Sequence, residues 1–221
     1  MPNLYSINSA EINGGGIVDL DLRVSMPSPL TPVDLTVFHD WSSIIPDSAQ
    51  INYVMDIIGT ATTRIPISSW QGTLQLNRSS FLQAVVPACE PYLATITAEI
   101  GSPFAIYRTA TFDGLYFEQE IARSLIETPR TDRGPINYTC TIVGYESQFS
   151  TLTASATTDR VLTGVRSIST YNSGIRVRSN IDWFLKPGQK ADANGNEFTV
   201  SYINFIVNGA DAYMDLGESA L

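Results

Sequence analysis

Hydrophobic and polar positions alternate along much of this chain. From Ile17 to Val24, Val18, Leu20, Leu22 and Val24 fall on one side, with Asp19, Asp21 and Arg23 on the other. From Ile175 to Trp183, Ile175, Val177, Ile181 and Trp183 oppose Arg176, Arg178, Asn180 and Asp182. Successive side chains of a strand point to opposite faces, so a period of two with a charged second face predicts sheets buried on one side.

The same pattern predicts strands over Val33 to Phe38, Ile51 to Ile58, Ile65 to Ser69, Thr73 to Leu76 and Phe81 to Val86. Phe104 to Thr111 and Leu115 to Ile121 form an expected hairpin around Asp113-Gly114, a strong turn signal. Ile136 to Tyr145 is another strand, with Ile136, Tyr138, Cys140 and Ile142 on one face. Pro-rich Met26 to Pro32 is an extended connector, because prolines cannot all sit in a ladder, and Arg130 to Pro135 is a polar loop. One helix is expected. Pro87, Glu90 and Pro91 suit its first turn, Leu93, Ile96 and Ile100 repeat at helical spacing, and Gly101 with Pro103 closes it.

Ser147 to Thr158 is rich in Ser, Thr and Ala without strong patterning and is the expected boundary region. Residues 1–150 then make a first β-barrel-like unit with the N-terminal strands and the helix near 90–100. Residues 151–221 make a smaller second unit, with strands over Arg160 to Thr170, Gly174 to Leu185, Asn196 to Val207 and Ala212 to Leu216. Turns are expected at Asn172 to Gly174, Lys186 to Gly188 and Asn194-Gly195. The expected fold is all-β with one short helix, in two linked barrel-like units.

Composition narrows the function. At 221 residues a sizeable core is available, and charged residues are only 16% against the usual quarter. A lightly charged, hydroxyl-rich surface suits neighbours held permanently, since interface cores are depleted in charge. The net charge of −9 makes sequence-independent nucleic-acid binding a poor fit, because phosphate contacts supply most of that affinity. Arg123, Arg130 and Arg133 lack interleaved aromatics and are expected as solvated loop arginines. No secretory pattern opens the sequence, and no apolar run approaches the ~18 residues of a membrane span. Membrane insertion is not expected, and Cys89 and Cys140 are expected as buried free thiols.

Candidate chemistry is sparse. His39 is the single histidine, and Lys186 and Lys190 are the two lysines. His39-Asp40-Trp41 has no Gly-x-Ser-x-Gly elbow to serve. Asp192 to Asn196 places glycine wrongly for a calcium loop and fits a type I′ turn instead. The acid pairs Asp19/Asp21 and Glu118/Glu120 share strand faces, the ordinary pattern of a solvated face. Trp41, Trp70 and Trp183 are dispersed, which leaves a carbohydrate-binding β module open as an alternative. No catalytic, metal-binding or cofactor-binding residues are assigned, and the protein is expected not to be an enzyme.

Three stretches carry a resemblance. The run Arg64-Ile-Pro-Ile-Ser-Ser-Trp-Gln-Gly-Thr-Leu-Gln-Leu-Asn-Arg-Ser-Ser-Phe-Leu-Gln-Ala-Val-Val-Pro-Ala88 resembles tail proteins of long-tailed phages of Gram-negative hosts. Gly134 to Tyr145 is similar to the same group, as is Arg176 to Gly188 through Tyr213 to Gly217. The resemblance spans most of the chain after about residue 30. It implies a virion protein of the tail tip or baseplate, of the hub type with two related β-barrels per chain. Such hubs present three chains to a six-fold tail tube. They connect it to host-recognition parts, touch other tail and baseplate proteins, and meet DNA only in transit. Family hubs are often longer, so this chain would correspond to the barrel portion. A distal tail protein forming a hexameric ring is the close alternative. The expected assembly is a trimer, otherwise a hexamer, put together in the host cytoplasm. Arg176 and Arg178 are candidate inter-subunit contacts, and Asp19, Asp21, Glu118, Glu120 and Asp215 are candidate lumen-facing acids.

Overall fold

The computed structural model describes residues 49–112, 115–134, 138–149, 159–171, 174–209 and 211–218, with the backbone of two short strands nearer the N-terminus. Those two, β1 (Tyr5–Ser6) and β2 (Arg23–Val24), pair antiparallel. The expected strand over Val33 to Phe38, the connector before it, and the residues His39, Trp41, Asp19 and Asp21 lie outside the described residues. So do Asp113-Gly114, Ile136 and most of the expected boundary region.

Among the described residues the chain is all-β with one short α-helix. β3 (Gln50–Ile58), β4 (Thr62–Pro66), β5 (Ser69–Gln75) and β6 (Phe81–Val86) follow one another closely. Then come a 3-10 turn (Glu90–Tyr92), α1 (Leu93–Ala98), β7 (Pro103–Phe112) and β8 (Leu115–Leu125). β9 (Arg130–Arg133), β10 (Tyr138–Tyr145) and β11 (Gln148–Phe149) complete the first part. The later part holds β12 (Arg160–Val161), β13 (Ser167–Tyr171), β14 (Gly174–Ser179), β15 (Lys190–Ala193), β16 (Asn196–Thr199), β17 (Tyr202–Asn208) and β18 (Asp211–Gly217).

One eight-stranded sheet organises the molecule, in the order β13-β14-β18-β17-β5-β6-β10-β9. The four strands on one side of the β17–β5 seam come from after residue 159, and the four on the other side from before residue 146. The two segments are therefore joined by a shared sheet as well as by the chain. A five-stranded sheet, β11-β8-β7-β3-β4, belongs wholly to the earlier segment, and a three-stranded sheet, β12-β15-β16, wholly to the later one.

One core runs through both segments. Trp70 of β5, Phe205 of β17, Trp183, Phe149 and Tyr53 form an aromatic cluster at the seam. Trp183 stacks on Phe205 at 5.7 Å and on Trp70 at 6.2 Å between centroids. Tyr53 meets Trp70 at 5.8 Å, and Phe149 meets Phe205 at 5.8 Å. Such pairs add about 1 kcal/mol each beyond the area they bury. Gly72 is bare because a Cβ there would lie 2.7 Å from the Phe149 ring. Gly144 is held likewise, 2.6 Å from the Leu125 carbonyl oxygen.

Several expectations change: Arg160 to Thr170 is two short strands, β12 and β13, in different sheets, and Arg123 lies on β8, paired with Glu120, rather than in a loop. Arg130 to Pro135 is a strand at its start, since β9 pairs with β10 although all four of its side chains are exposed. Backbone hydrogen bonds need no apolar face, so an all-polar edge strand carries no hydrophobic signal. The alternation from Ile175 to Trp183 stops being a strand at Ser179. Asp182 accepts the Phe184 N–H at 2.9 Å and binds Arg160 through both oxygens, which turns the chain while Trp183 still enters the core. Asn196 to Val207 is two strands in different sheets, broken at Val200-Ser201. Of the helical stripe, Ile96 is fully buried while Ile100 is 51% exposed, because α1 ends at Ala98 and Gly101 takes a φ of 89°.

Candidate assembly surface

Every pairing in the eight-stranded sheet is antiparallel, so residues directly opposite share a face. The inner face holds Val177, Met214, Leu216, Ile203, Phe205, Trp70, Leu74, Leu82, Ala84, Cys140 and Ile142, all buried. The opposite face is the surface of interest. One row across it reads Ser167, Arg178, Asp215, Asn204, Thr73, Phe81 and Tyr145. Amides and hydroxyls dominate at the seam, where Thr73 and Gln71 both donate to Asn204 Oδ1, at 2.8 and 3.2 Å.

Charge on this face is largely neutralised within the chain. Arg178 binds Asp215 through two hydrogen bonds of 2.7 and 2.9 Å, and its guanidinium lies 4.5 Å from the Tyr213 ring centre. Arg166 donates from Nη1 to both oxygens of Asp211, at 2.8 and 2.9 Å, and approaches Tyr213 from 5.4 Å. The bidentate Arg178–Asp215 pair holds that arginine's plane in place. The carboxylate of Asp215 raises the Arg178 pKa further, through that hydrogen bond first.

Arg176 differs. It is half-buried, its guanidinium lies 5.1 Å from the Tyr171 ring centre, and no acid among the described residues forms an ion pair with it. Its Nε is enclosed without a hydrogen-bond partner. Opposite it stands Gly217, where a Cβ would lie 2.6 Å from the Ile175 carbonyl oxygen and 3.1 Å from the Tyr202 ring. Burial raises the Tyr202 pKa, against the lowering influence of Arg176.

The sheet has two outer edges, β13 and β9, and neither has a further strand beside it among the described residues. β9 is exposed along its length and β13 carries Tyr171 at 54% exposure. Free edges of this sort offer unpaired backbone donors and acceptors to another strand.

The remaining sequence-predicted residues fall elsewhere. Glu118 and Glu120 lie on the five-stranded sheet, away from this face. Glu118 is 4% exposed and binds Arg64 at 2.6 and 2.8 Å, while Asp56 takes the other side of the same guanidinium at 2.8 Å. Tyr116 also donates to Glu118, and Arg123 and Tyr107 bind Glu120. Burial first, then the Glu120 charge, pushes the Tyr107 hydroxyl well above its ordinary range. Both acids are held in side-chain networks of this sheet, Glu118 with Arg64 and Tyr116 and Glu120 with Arg123 and Tyr107. Sequence reasoning missed Arg64 because its partners lie 8 and 54 positions away.

Trp70 and Trp183 are 2% and 6% exposed, which removes them from any sugar-stacking platform. Asn194 and Gly195 take φ values of 54° and 84° in the hairpin joining β15 to β16, the backbone of a type I′ turn. Cys89 and Cys140 are free and buried, and burial raises the Cys140 pKa to about 11. Among the described residues no three His, Cys, Asp or Glu side chains gather as a metal site. A cleft of about 270 Å³ opens beside Ile51, Tyr53, Ile67, Trp70 and Val207, without a charged residue in its lining.

Three solved structures resemble this chain. A tail protein of Neisseria meningitidis MC58 aligns over 75% of this chain and 96% of its own, with a TM-score of 0.46 and 6% identity. The 43 kDa tail protein of prophage MuSo2 from Shewanella oneidensis covers 77% and 98%, with a TM-score of 0.49 and 6% identity. An E. coli component of the type VI secretion system, structurally similar to T4 bacteriophage tail proteins gp27 and gp5, covers 74% and 75% at a TM-score of 0.48 and 7% identity. No family model and no curated protein matches the sequence.

Proposed function

We propose that this protein is a structural, non-enzymatic part of a phage tail tip or baseplate, assembling as a ring at the end of the tail tube. The observation that carries this reading is where the three resembling stretches go. Arg64 to Ala88 supplies β5 and β6, Gly134 to Tyr145 supplies β10, and Arg176 to Gly217 supplies most of β14 and all of β17 and β18. Stretches far apart in sequence thus supply, in whole or in large part, six of the eight strands of one sheet.

The sheet has the properties a ring needs. Eight strands in strict antiparallel alternation leave β13 and β9 running in opposite directions, so the two edges can meet head to tail in the same antiparallel manner. The internal β17–β5 seam already joins two four-stranded halves this way. Three copies would set about 24 strands around a bore of roughly 45 Å between backbones, at ~4.8 Å per strand and ordinary barrel tilt. Six copies would double that, so a channel fitted to one DNA duplex favours three.

The core face is covered by the protein's own smaller sheets, which leaves the amide-rich face for the bore. Its acids Asp215 and Asp211 are paired with Arg178 and Arg166, so the wall is close to neutral. A neutral wall lets DNA pass, whereas unpaired basic residues would hold phosphates with salt-dependent affinity. Of the expected lumen acids with a described position, Asp215 is the one on this face.

The test is the mass of the purified full chain by light scattering and its outline by electron microscopy. A three-fold ring is expected. A six-fold ring would favour the distal tail alternative, and a monomer at all concentrations would overturn the ring.

A further inference from the structure

Resting on that ring, we infer that its contact is a β9–β13 ladder in one register, with Asp132 opposite Ser169 and Arg130 opposite Tyr171 of the neighbouring copy. The register comes from the stagger of the sheet. The level of Asp132 passes through Thr139 on β10 and, with each register extended in line, reaches position 184 on the β14 line. That is eight residues from Arg176, the partner of Ser169. With Asp132 set opposite Ser169, each copy contributes a shear of eight over eight strands. The same ratio closes the eight-stranded (β/α) barrel at a tilt of about 36°. A ring repeating this stagger brings the middle of β9 level with the middle of β13 and pairs all four β9 residues. An even stagger also keeps faces matched, since a slip of one residue would turn every side chain over.

The chemistry of the two edges agrees. In this register Asp132 stands on the bore face next to Ser169, whose other neighbour is Arg176. Serine is short, so the Arg176 guanidinium reaches over it to the carboxylate. This supplies the half-buried arginine with the counter-ion that its own chain lacks among the described residues. Arg178, equally an arginine of β14, is already bound to Asp215 and is not the contact. Tyr171 is covered by Arg176 on one side, and Arg130 of the neighbouring copy meets its exposed side.

Cysteine pairs test the register in the full chain. Thr131 and Thr170 are exposed and face each other in it. Mild oxidation of T131C/T170C should therefore give covalent oligomers up to the full ring on denaturing gels. T131C/I168C, the pair joined by a two-residue slip, and each single variant should give few. A ring that cross-links in the slipped pair, or in neither, overturns the register while leaving the ring standing. Absence of any ring overturns both. For the charge contact, D132R and R176D should each weaken assembly about tenfold or more, and the double exchange should restore most of it. A change below about twofold in both single variants rules the contact out.

Discussion

Cys140 shows how much a single position can report. It lies on the inner face of β10, fully buried, and its thiol is pushed up to about 11 mainly by burial, with the nearby Cys89 adding to the effect. The folded state therefore keeps a proton that the unfolded chain releases near pH 8.5. Stability from this group is complete below that pH and is lost as pH rises toward 11. Chemical denaturation should show stability falling between about pH 8.5 and 11, steepening above pH 10 where the buried tyrosines, raised in the same direction, begin to titrate in the unfolded chain. At pH 8, a thiol reagent should label neither cysteine in the native protein and both after unfolding. Rapid native labelling of either would mean that β10 does not bury its inner face as described.

At the scale of elements, α1 is the informative case. Leu93, Ile96 and Ile100 form the stripe that predicts it, yet the helix is six residues long and only Ile96 lies in the core. So short a helix is marginal by itself, and its place is set by what it packs against. Ile96→Ala should cost about 3 kcal/mol in urea denaturation, and Ile100→Ala under about 0.5 kcal/mol. Equal costs would mean that the helix continues past Gly101. The β9 edge makes the converse point: a strand with four exposed polar side chains is invisible to hydrophobic patterning, because its pairing is made by backbone alone.

Across the whole molecule, the seam between β5 and β17 decides how the chain behaves. Trp70, Phe205 and Trp183 come from both segments and touch one another. The segments should therefore unfold together, in one transition seen alike by tryptophan fluorescence and by far-ultraviolet circular dichroism. Phe205→Ala should lower the midpoint of that single transition by removing about 3–5 kcal/mol. Two separated transitions in the unaltered protein would show that the shared sheet does not couple them.

The sequence by itself determined the all-β class, the location of most strands, the Asn194-Gly195 turn and the burial of the two cysteines. Each of these is set by contacts within a few residues or by alternation along one strand. β3, β6 and the β7–β8 hairpin were legible for that reason. What only the tertiary structure decided is how separated segments meet. That includes the joining of β5 to β17 across some 130 positions, the pairing of Arg178 with Asp215 and the enclosure of Glu118 by Arg64. The half-buried Arg176, with no acid paired to it among the described residues, belongs there too. Strand order and cross-strand partners depend on loop closure over long separations, and nothing in the local alternation of a strand records which strand will lie beside it.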